Sequence, residues 1–441
     1  MLKRVYDCDE PEAAVRIADA AFPAPFRSGL EYAAPARGPW NIVHVGMLIP
    51  QAHEIFVCAQ GCLRGVVLTA AEMGAQERFS TVAIRENNVL DGDMEELLIN
   101  GVSDILGKLP KLPRAVLVYT SCIHHFMGCD LDLCYRELRS RFPGVDFTDC
   151  YMNPIMRKSG LTPDQLMRRQ LYSLLTPRPQ QAGSVSIFGN CFATDETSEL
   201  MQLLRSDGRR VRDITYCRTY DEYLTLAESS ACITMLPPCR AGGEELAERL
   251  GMQHLYLPVC WGYEENARSL DQLSQALELP RGDDGPLIER AEEALRRAHA
   301  LIGQTPVAID YTATPRPLGL ARLLTEHGFS VESVYADSFT GEEREDFEWL
   351  ARKAPDLRLR ATVEVKCRVL PRETPGKVLA YGQKAAYFTG TRNFVNIVEG
   401  GGAWGYDAVV RMTRDLTDAF LHEKDPRTQI QPKGLGCRYC I

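Results

Sequence analysis

The sequence predicts an α/β protein of three consecutive units, each built on a parallel sheet. Short apolar runs of about five residues alternate with longer amphipathic stretches along the chain. Each run leads through a loop into a helix-like segment, which is the spacing of parallel crossovers rather than of hairpins. The plan of strand, loop, helix and strand recurs three times, with no tandem repeat at a short fixed period.

The first unit spans residues 1–178. Strands are expected at Asn41–Val45, Glu54–Val57, Thr81–Ile84 and Ala115–Thr120, and helices at Leu63–Met73, Met94–Leu106 and Leu131–Ser140. A further helix opens at Leu161-Thr162-Pro163-Asp164, with Thr162 as N-cap and Pro163 in the first helical position. Thr176–Gly183, rich in Pro and Gln, reads as a linker. The second unit, 179–304, starts with the strand Ser184–Phe188 and Gly189-Asn190, then a helix from Thr194. It lacks a complete G-x-G-x-x-G, so it carries little weight as a dinucleotide site. Strands follow at Ala231–Leu236 and His254–Leu257, and then the helix Pro286–Ile302, whose alternating Glu and Arg mark a solvated face. The third unit, 305–424, has strands at Pro306–Asp310, Val331–Tyr335 and Val378–Tyr381 and a helix from Leu318. Residues 425–441 form a Cys-bearing tail.

Composition narrows the function. The 441 residues are 45% apolar and 25% charged, ordinary for a globular protein with a substantial core. A net charge of −9 argues against a nucleic-acid surface, which needs a basic face. No run of about 18 apolar residues is present, so no membrane span is expected. The N-terminus turns acidic at once and has no apolar h-region, so cytoplasmic residence is expected. Fifteen cysteines in a reducing compartment are not a disulfide framework, and an odd count cannot pair completely. Cys150, Cys217, Cys232 and Cys367 read as plain buried thiols.

The informative cysteines lie elsewhere. Cys58 and Cys62 stand in Val57-Cys58-Ala59-Gln60-Gly61-Cys62, and Cys122 and Cys129 in Ser121-Cys122-Ile123-His124-His125-Phe126-Met127-Gly128-Cys129. Each group follows a β-like run and precedes a helix-like segment, where an α/β domain presents residues to a ligand. A thiolate is favoured by a metal, by positive charge or by a helix N-terminus. Four such ligands suit an iron–sulfur cluster, and Gly61 lets the backbone approach one closely. The alternatives are structural thiols, or zinc, although zinc favours a C-x₂-C spacing that this pair lacks. His124 and His125 are the candidate catalytic proton carriers beside the loop, against a plain structural role.

The pattern resembles the nitrogenase component 1 family, the superfamily of the molybdenum–iron protein α and β subunits. The resemblance runs from about Val43 to His422. Gln60-Gly61-Cys62 is similar to the family's His-Gly-Pro-Val-Gly-Cys loop. Phe79-Ser80-Thr81 with Glu86-Asn87-Asn88-Val89-Leu90-Asp91-Gly92 resembles its Phe-Thr-Thr…Glu-x-Asp-x-Val-x-Gly-Gly block. Ser121-Cys122 followed by Gly128-Cys129-Asp130 resembles Glu-Cys-Pro…Gly-Asp-Asp. Gly382-Gln383-Lys384 with Gly402-Ala403-Trp404-Gly405-Tyr406-Asp407 resembles the closing Gly-x-Lys…His-Gly-Phe-Asp-Gly block. Each block is weak alone; their order and spacing make the match specific.

The resemblance implies three Rossmann-like domains around a central groove. It implies an assembly with a second subunit of the family, the same chain or a different one, and electrons from an ATP-hydrolysing iron protein. It also implies a metal cluster between paired subunits. Cys62 and Cys122 match two of the family's three cluster cysteines. The third lies earlier in the family, and Asn41–Gln51 holds no cysteine, so Cys58 or, alternatively, Cys129 takes its place. That departure favours a [4Fe–4S] cluster completed by a partner chain over an eight-iron one. Pro237-Pro238-Cys239-Arg240 resembles the family's His-Cys-Tyr-Arg loop, which makes Cys239 the candidate ligand of a second metallocofactor, with a plain loop thiol as the alternative. No histidine lies between His327 and His422, so a cofactor of the nitrogenase kind, and with it dinitrogen reduction, is not expected.

Arg240 and Lys384 are candidates to supply positive charge to a pocket. Gly401 and Gly402, in Glu399-Gly400-Gly401-Gly402, could cradle an anion; a tight turn needing positive φ is the favoured alternative. Cys437 and Cys440 form a terminal C-x₂-C that needs further ligands from elsewhere. The expectation is an iron–sulfur oxidoreductase subunit acting on a small molecule. A scaffold for cofactor assembly on the same fold and a metal-free α/β binding protein are the alternatives.

Overall fold

The computed structural model describes residues 13–26, 42–152, 161–362, 364–370, 372 and 376–425. The tail cysteines Cys437 and Cys440 lie outside these. Three sheets with parallel strands form, as the apolar runs require.

A two-residue strand, β1 (Val15–Arg16), and a short helix, α1 (Ile42–Gly46), come first. Then β2 (Ala52–Ala59), α2 (Gln60–Glu72), β3 (Phe79–Ile84), α3 (Glu86–Asp91), α4 (Met94–Lys108), β4 (Ala115–Ser121), α5 (Cys122–Met127), α6 (Leu131–Arg141) and β5 (Asp146–Met152) build the first sheet and its helices, in the strand order β3-β2-β4-β5. Every pairing in it is parallel. On one face Ile55, Val57, Val116 and Val118 pack with Leu98, Val102, Leu106, Tyr135 and Leu138 of α4 and α6. The other face carries Glu54, Phe56 and Cys58, where Phe56 stacks on Tyr119 at 4.0 Å.

The stretch Asn41–Val45, expected as a strand, is instead the helix α1 from Ile42; Asn41 lies outside the described residues. All five residues of α1 are buried, and Met47 N–H closes a helical turn on Val43 O at 3.1 Å. A short buried apolar run has no polar face to reveal its period, so the sequence could not separate the two forms. The fourth strand, β5, went unread because Asp146-Phe147-Thr148-Asp149-Cys150 is too polar for an apolar run.

α7 (Pro163–Gln170) starts as expected, with Thr162 Oγ1 accepting from Gln165 N–H and Pro163 in the first turn. The second sheet, in the order β7-β6-β8-β9, comprises β6 (Gln181–Phe188), β7 (Arg210–Asp213), β8 (Ser229–Thr234) and β9 (Gln253–Tyr256). Along the chain α8 (Glu199–Ser206), α9 (Tyr220–Leu224) and α10 (Arg240–Leu250) fall between its strands. α8 begins five residues later than the expected Thr194. Ser198 caps it, and the residues before it form a turn, with Asp195 N–H held by Gly402 O at 2.9 Å and Ser198 N–H by Asp195 O at 3.0 Å.

The third sheet is larger, in the order β1-β12-β11-β10-β13-β14. Around it run α11 (Tyr263–Leu277), α12 (Gly285–Ile302), β10 (Val307–Asp310), α13 (Pro317–Glu326), β11 (Val331–Tyr335), α14 (Arg344–Lys353), β12 (Arg358–Arg360), α15 (Val365–Val369), β13 (Leu379–Tyr381), α16 (Gln383–Thr389), β14 (Phe394–Val395) and α17 (Gly405–Leu421). Only β1 runs antiparallel, pairing Val15 with Leu359 at the sheet edge. Its core joins Leu295, Ile309, Leu320, Leu324, Val334, Leu359 and Val409.

By contacts the chain divides into two compact units. One holds Ala33–Ala193 and Gly208–Tyr256, and so the first two sheets. The other holds Thr194–Asp207 and Leu257 onward with β1, and so the third sheet. No helix among the described residues is long and apolar enough to cross a membrane.

Candidate metal centre

In the first sheet the strand order reverses at β2 and β4: β3 lies outside one, β5 outside the other. The carboxyl ends of two such strands open a crevice, the usual ligand site of an open α/β sheet. Cys58 stands at the end of β2, Cys62 in the first turn of α2, and Cys122 in the first residue after β4. The parallel register of β2 against β4, with Val57 opposite Thr120, brings the two loops to the same edge.

The three sulfurs are electrostatic neighbours. Burial pushes the Cys58 thiol up to about 12, and the charges that Cys62 and Cys122 would carry push it further in the same direction. Burial, then Cys122, raises the Cys62 thiol. Thiols that oppose one another's ionisation stay protonated until a cation supplies the missing charge. Gly61, between Cys58 and Cys62, faces open space, since a methyl group there would meet no atom within 4 Å. Among the described residues no three His, Cys, Asp or Glu side chains converge tightly enough for one metal ion. A single zinc ion draws sulfurs to about 2.3 Å of one point, whereas a cluster of several irons accepts more widely spaced thiolates. Three sulfurs are a donor set that either an iron–sulfur group or zinc can use.

Cys129 sits apart from this trio. It follows α5, its N–H donates to His124 O at 3.1 Å, and its charged neighbour is Glu95. Cys58, with Cys62 and Cys122 acting on it electrostatically, and Cys129, beside Glu95, thus stand in different surroundings.

His124 is buried in α5. Its Nδ1 accepts from Ser121 N–H at 3.2 Å, and burial lowers its pKa, so the ring is neutral with its proton on Nε2. His125 is exposed, its ring 6.2 Å from that of Phe126. Cys239 is buried against the second sheet, and its Sγ donates to Gly189 O at 3.3 Å. Arg240 lies outside, paired with Glu244 at 2.9 Å and 4.9 Å over the Tyr256 ring. Lys384, in the third sheet's unit, donates to Tyr311 OH at 2.7 Å. Burial opposes its charge, but Tyr311, Asp337 and Asp310 together hold its pKa above the ordinary lysine value. Gly401 and Gly402 take φ values of 58° and 92°. Their loop closes on itself through Gly401 N–H to Val398 O, and the Gly401 carbonyl accepts from Arg411, which is the geometry of a tight turn. The remaining thiols behave as small hydrophobes: Cys150, Cys232 and Cys367 are buried, while Cys217 is half-buried with its Sγ 3.5 Å from Asp213 O. None of the described cysteines forms a disulfide.

The family model of nitrogenase component 1 type oxidoreductases matches residues 40–419. The chain belongs to this family. Among solved structures it is similar to nitrogenase Cp1 at pH 6.5, with a TM-score of 0.65 and 13% identity over 90% of this chain and 94% of that one. It is also similar to nitrogenase Cp1 at pH 5, with a TM-score of 0.58 and 12% identity over 90% of each chain. At such identity the likeness speaks for the fold. No curated protein matches the chain in sequence. This nitrogenase component 1-like chain therefore has its mixed α/β fold in common with those proteins.

Proposed function

We propose that this chain is the iron–sulfur subunit of a nitrogenase-like oxidoreductase. It binds a [4Fe–4S] cluster through Cys58, Cys62 and Cys122, and a partner subunit completes the ligand set. When bound, the cluster supplies reversible one-electron transfer at low potential. The electrons come from an ATP-hydrolysing iron protein and pass to a small molecule other than dinitrogen. Convergence of three thiols at the switch point of the first sheet carries this reading.

The chain's own residues set the conditions. The buried end of β2 holds Cys58 away from water, which limits the access of oxidants to it. The N-terminal turn of α2 turns its amide dipoles toward Cys62 and favours negative charge there. The Ser121 N–H bond to His124 fixes the turn that follows Cys122.

Anaerobic purification with iron and sulfide counts tests the proposal. The wild type is expected to be brown and to hold stoichiometric iron; Cys62→Ala and Cys122→Ala are expected to lose it. Full iron in both variants overturns the site. Reduction by the cognate iron protein with turnover of an added substrate supports an oxidoreductase. Cluster transfer to an acceptor without turnover would instead mark an assembly scaffold.

A further inference from the structure

A cavity of about 380 Å³ opens at the carboxyl edge of the first sheet, on the side of β4 facing β5. Thr120, Ser121, His124, Tyr151, Leu166 and Arg169 contribute to its wall, with the α5 end beside them. Cys129 also lines it, whereas Cys58, Cys62 and Cys122 are not among its described lining residues.

Its lining is mostly donors, although Glu95 acts on His124 and Cys129 from behind. His124, 1% exposed, lines the cavity, and its Nε2 makes no hydrogen bond. Because Nδ1 accepts from Ser121 N–H, Nε2 carries the proton and is a buried donor without an acceptor. Ser121 Oγ stands opposite the first-turn amide of α5 in a capping arrangement, yet makes no hydrogen bond of ordinary geometry. Arg169 brings a guanidinium to the same wall. It also reaches Glu245 at 3.5 Å, but that carboxylate is 54% exposed and competes weakly. Tyr151 OH is already committed to the Asp149 carboxylate. Among the described residues the lining includes no Asp or Glu, while Leu131, Leu166 and Gly128 form an apolar wall. Buried donors without acceptors are rare and mark the place of a missing partner. The volume lies at the small end of organic-ligand pockets.

We propose that this cavity is a binding site for a small carboxylate with a short apolar body, its oxygens accepting from His124 Nε2–H and Ser121 O–H and facing the Arg169 guanidinium. The site is independent of the redox reading, because no iron is needed to form it.

Isothermal titration of the full chain with benzoate, inorganic phosphate and neutral benzamide tests this. Benzoate is expected to bind saturably, at least tenfold more tightly than benzamide. Arg169→Met, at a side chain 30% exposed and so compatible with folding, is expected to weaken benzoate about tenfold. His124→Ala should do the same. In [¹⁵N]histidine-labelled protein, benzoate should shift the His124 Nε2 resonance. Equal binding of benzoate and benzamide, binding of phosphate but not benzoate, or unchanged affinity in Arg169→Met each overturns the proposal. So does the absence of saturable binding.

Discussion

A methyl group on Gly189 would stand 2.3 Å from the Cys239 sulfur. The two loops that follow β6 and β8 meet there, and Gly189 adopts φ +89°, a region that side chains avoid. Gly189→Ala therefore incurs both strains at once: roughly 1–2 kcal/mol for the backbone and about 1–3 kcal/mol for overpacking. Chemical denaturation should show a loss on the order of 3 kcal/mol. Adding Cys239→Gly should recover the steric part and leave the backbone part.

The third cluster sulfur can be decided by pairwise comparison. Cys58→Ala is expected to lose iron as completely as Cys62→Ala, while Cys129→Ala keeps it, because Cys129 faces Glu95 rather than the crevice. Iron retained in Cys58→Ala and lost in Cys129→Ala would reverse the assignment.

Asp213 gives a pH dependence with a defined sign. Burial raises its carboxyl to about 7, and its Oδ2 makes no hydrogen bond. Above pH 4 the unfolded chain releases this proton and the folded chain keeps it. The native state then binds more protons, so stability falls as pH rises from about 4 through about 7. The contribution lost is on the order of 4 kcal/mol. In Asp213→Asn the wild-type slope between pH 4.5 and 6.5 (about two units, within this window) should flatten, as read from urea midpoints. An unchanged slope would show that the group ionises freely in the fold.

Arg316 anchors the third sheet's unit. It is 4% exposed and pairs with both Glu265 and Glu342. Removing one member of a buried ionic group strands the others, at about 3–5 kcal/mol. Arg316→Met should lower the thermal midpoint accordingly, while the iron content of the chain is unaffected.

Phe126 and Met127, 70% and 44% exposed, end the helix that Cys122 begins. If electrons enter through this helix, Phe126→Asp should slow reduction by the iron protein at unchanged iron content. Stopped-flow reduction rates, compared between wild type and variant, decide it.

Much of the architecture was legible in the chain. The stretches Ala115–Thr120, Val331–Tyr335 and Pro306–Asp310, expected as strands, coincide with β4, β11 and β10 to within a residue at either end. Thr162 and Pro163 announced the start of α7 because capping is local chemistry. Ile42–Gly46 and β5 were misread for opposite reasons: one is too apolar to show a period, the other too polar to show a core face. The unpaired Nε2 of His124 had no sequence signal, since it depends on what fails to pack against it.

The sequence by itself determined the parallel α/β plan, the family and the placement of cysteines after two apolar runs, because these follow from periodicity and order along the chain. Only the tertiary structure brings the loops that carry them to one sheet edge. The four candidate cysteines, Cys58, Cys62, Cys122 and Cys129, are alike in sequence, each near a strand end or helix start. The register of β2 against β4 sets Cys58 beside Cys62 and Cys122, whereas the turn after α5 carries Cys129 to Glu95. Proximity between residues some sixty positions apart is a property of strand pairing, and no local pattern encodes it.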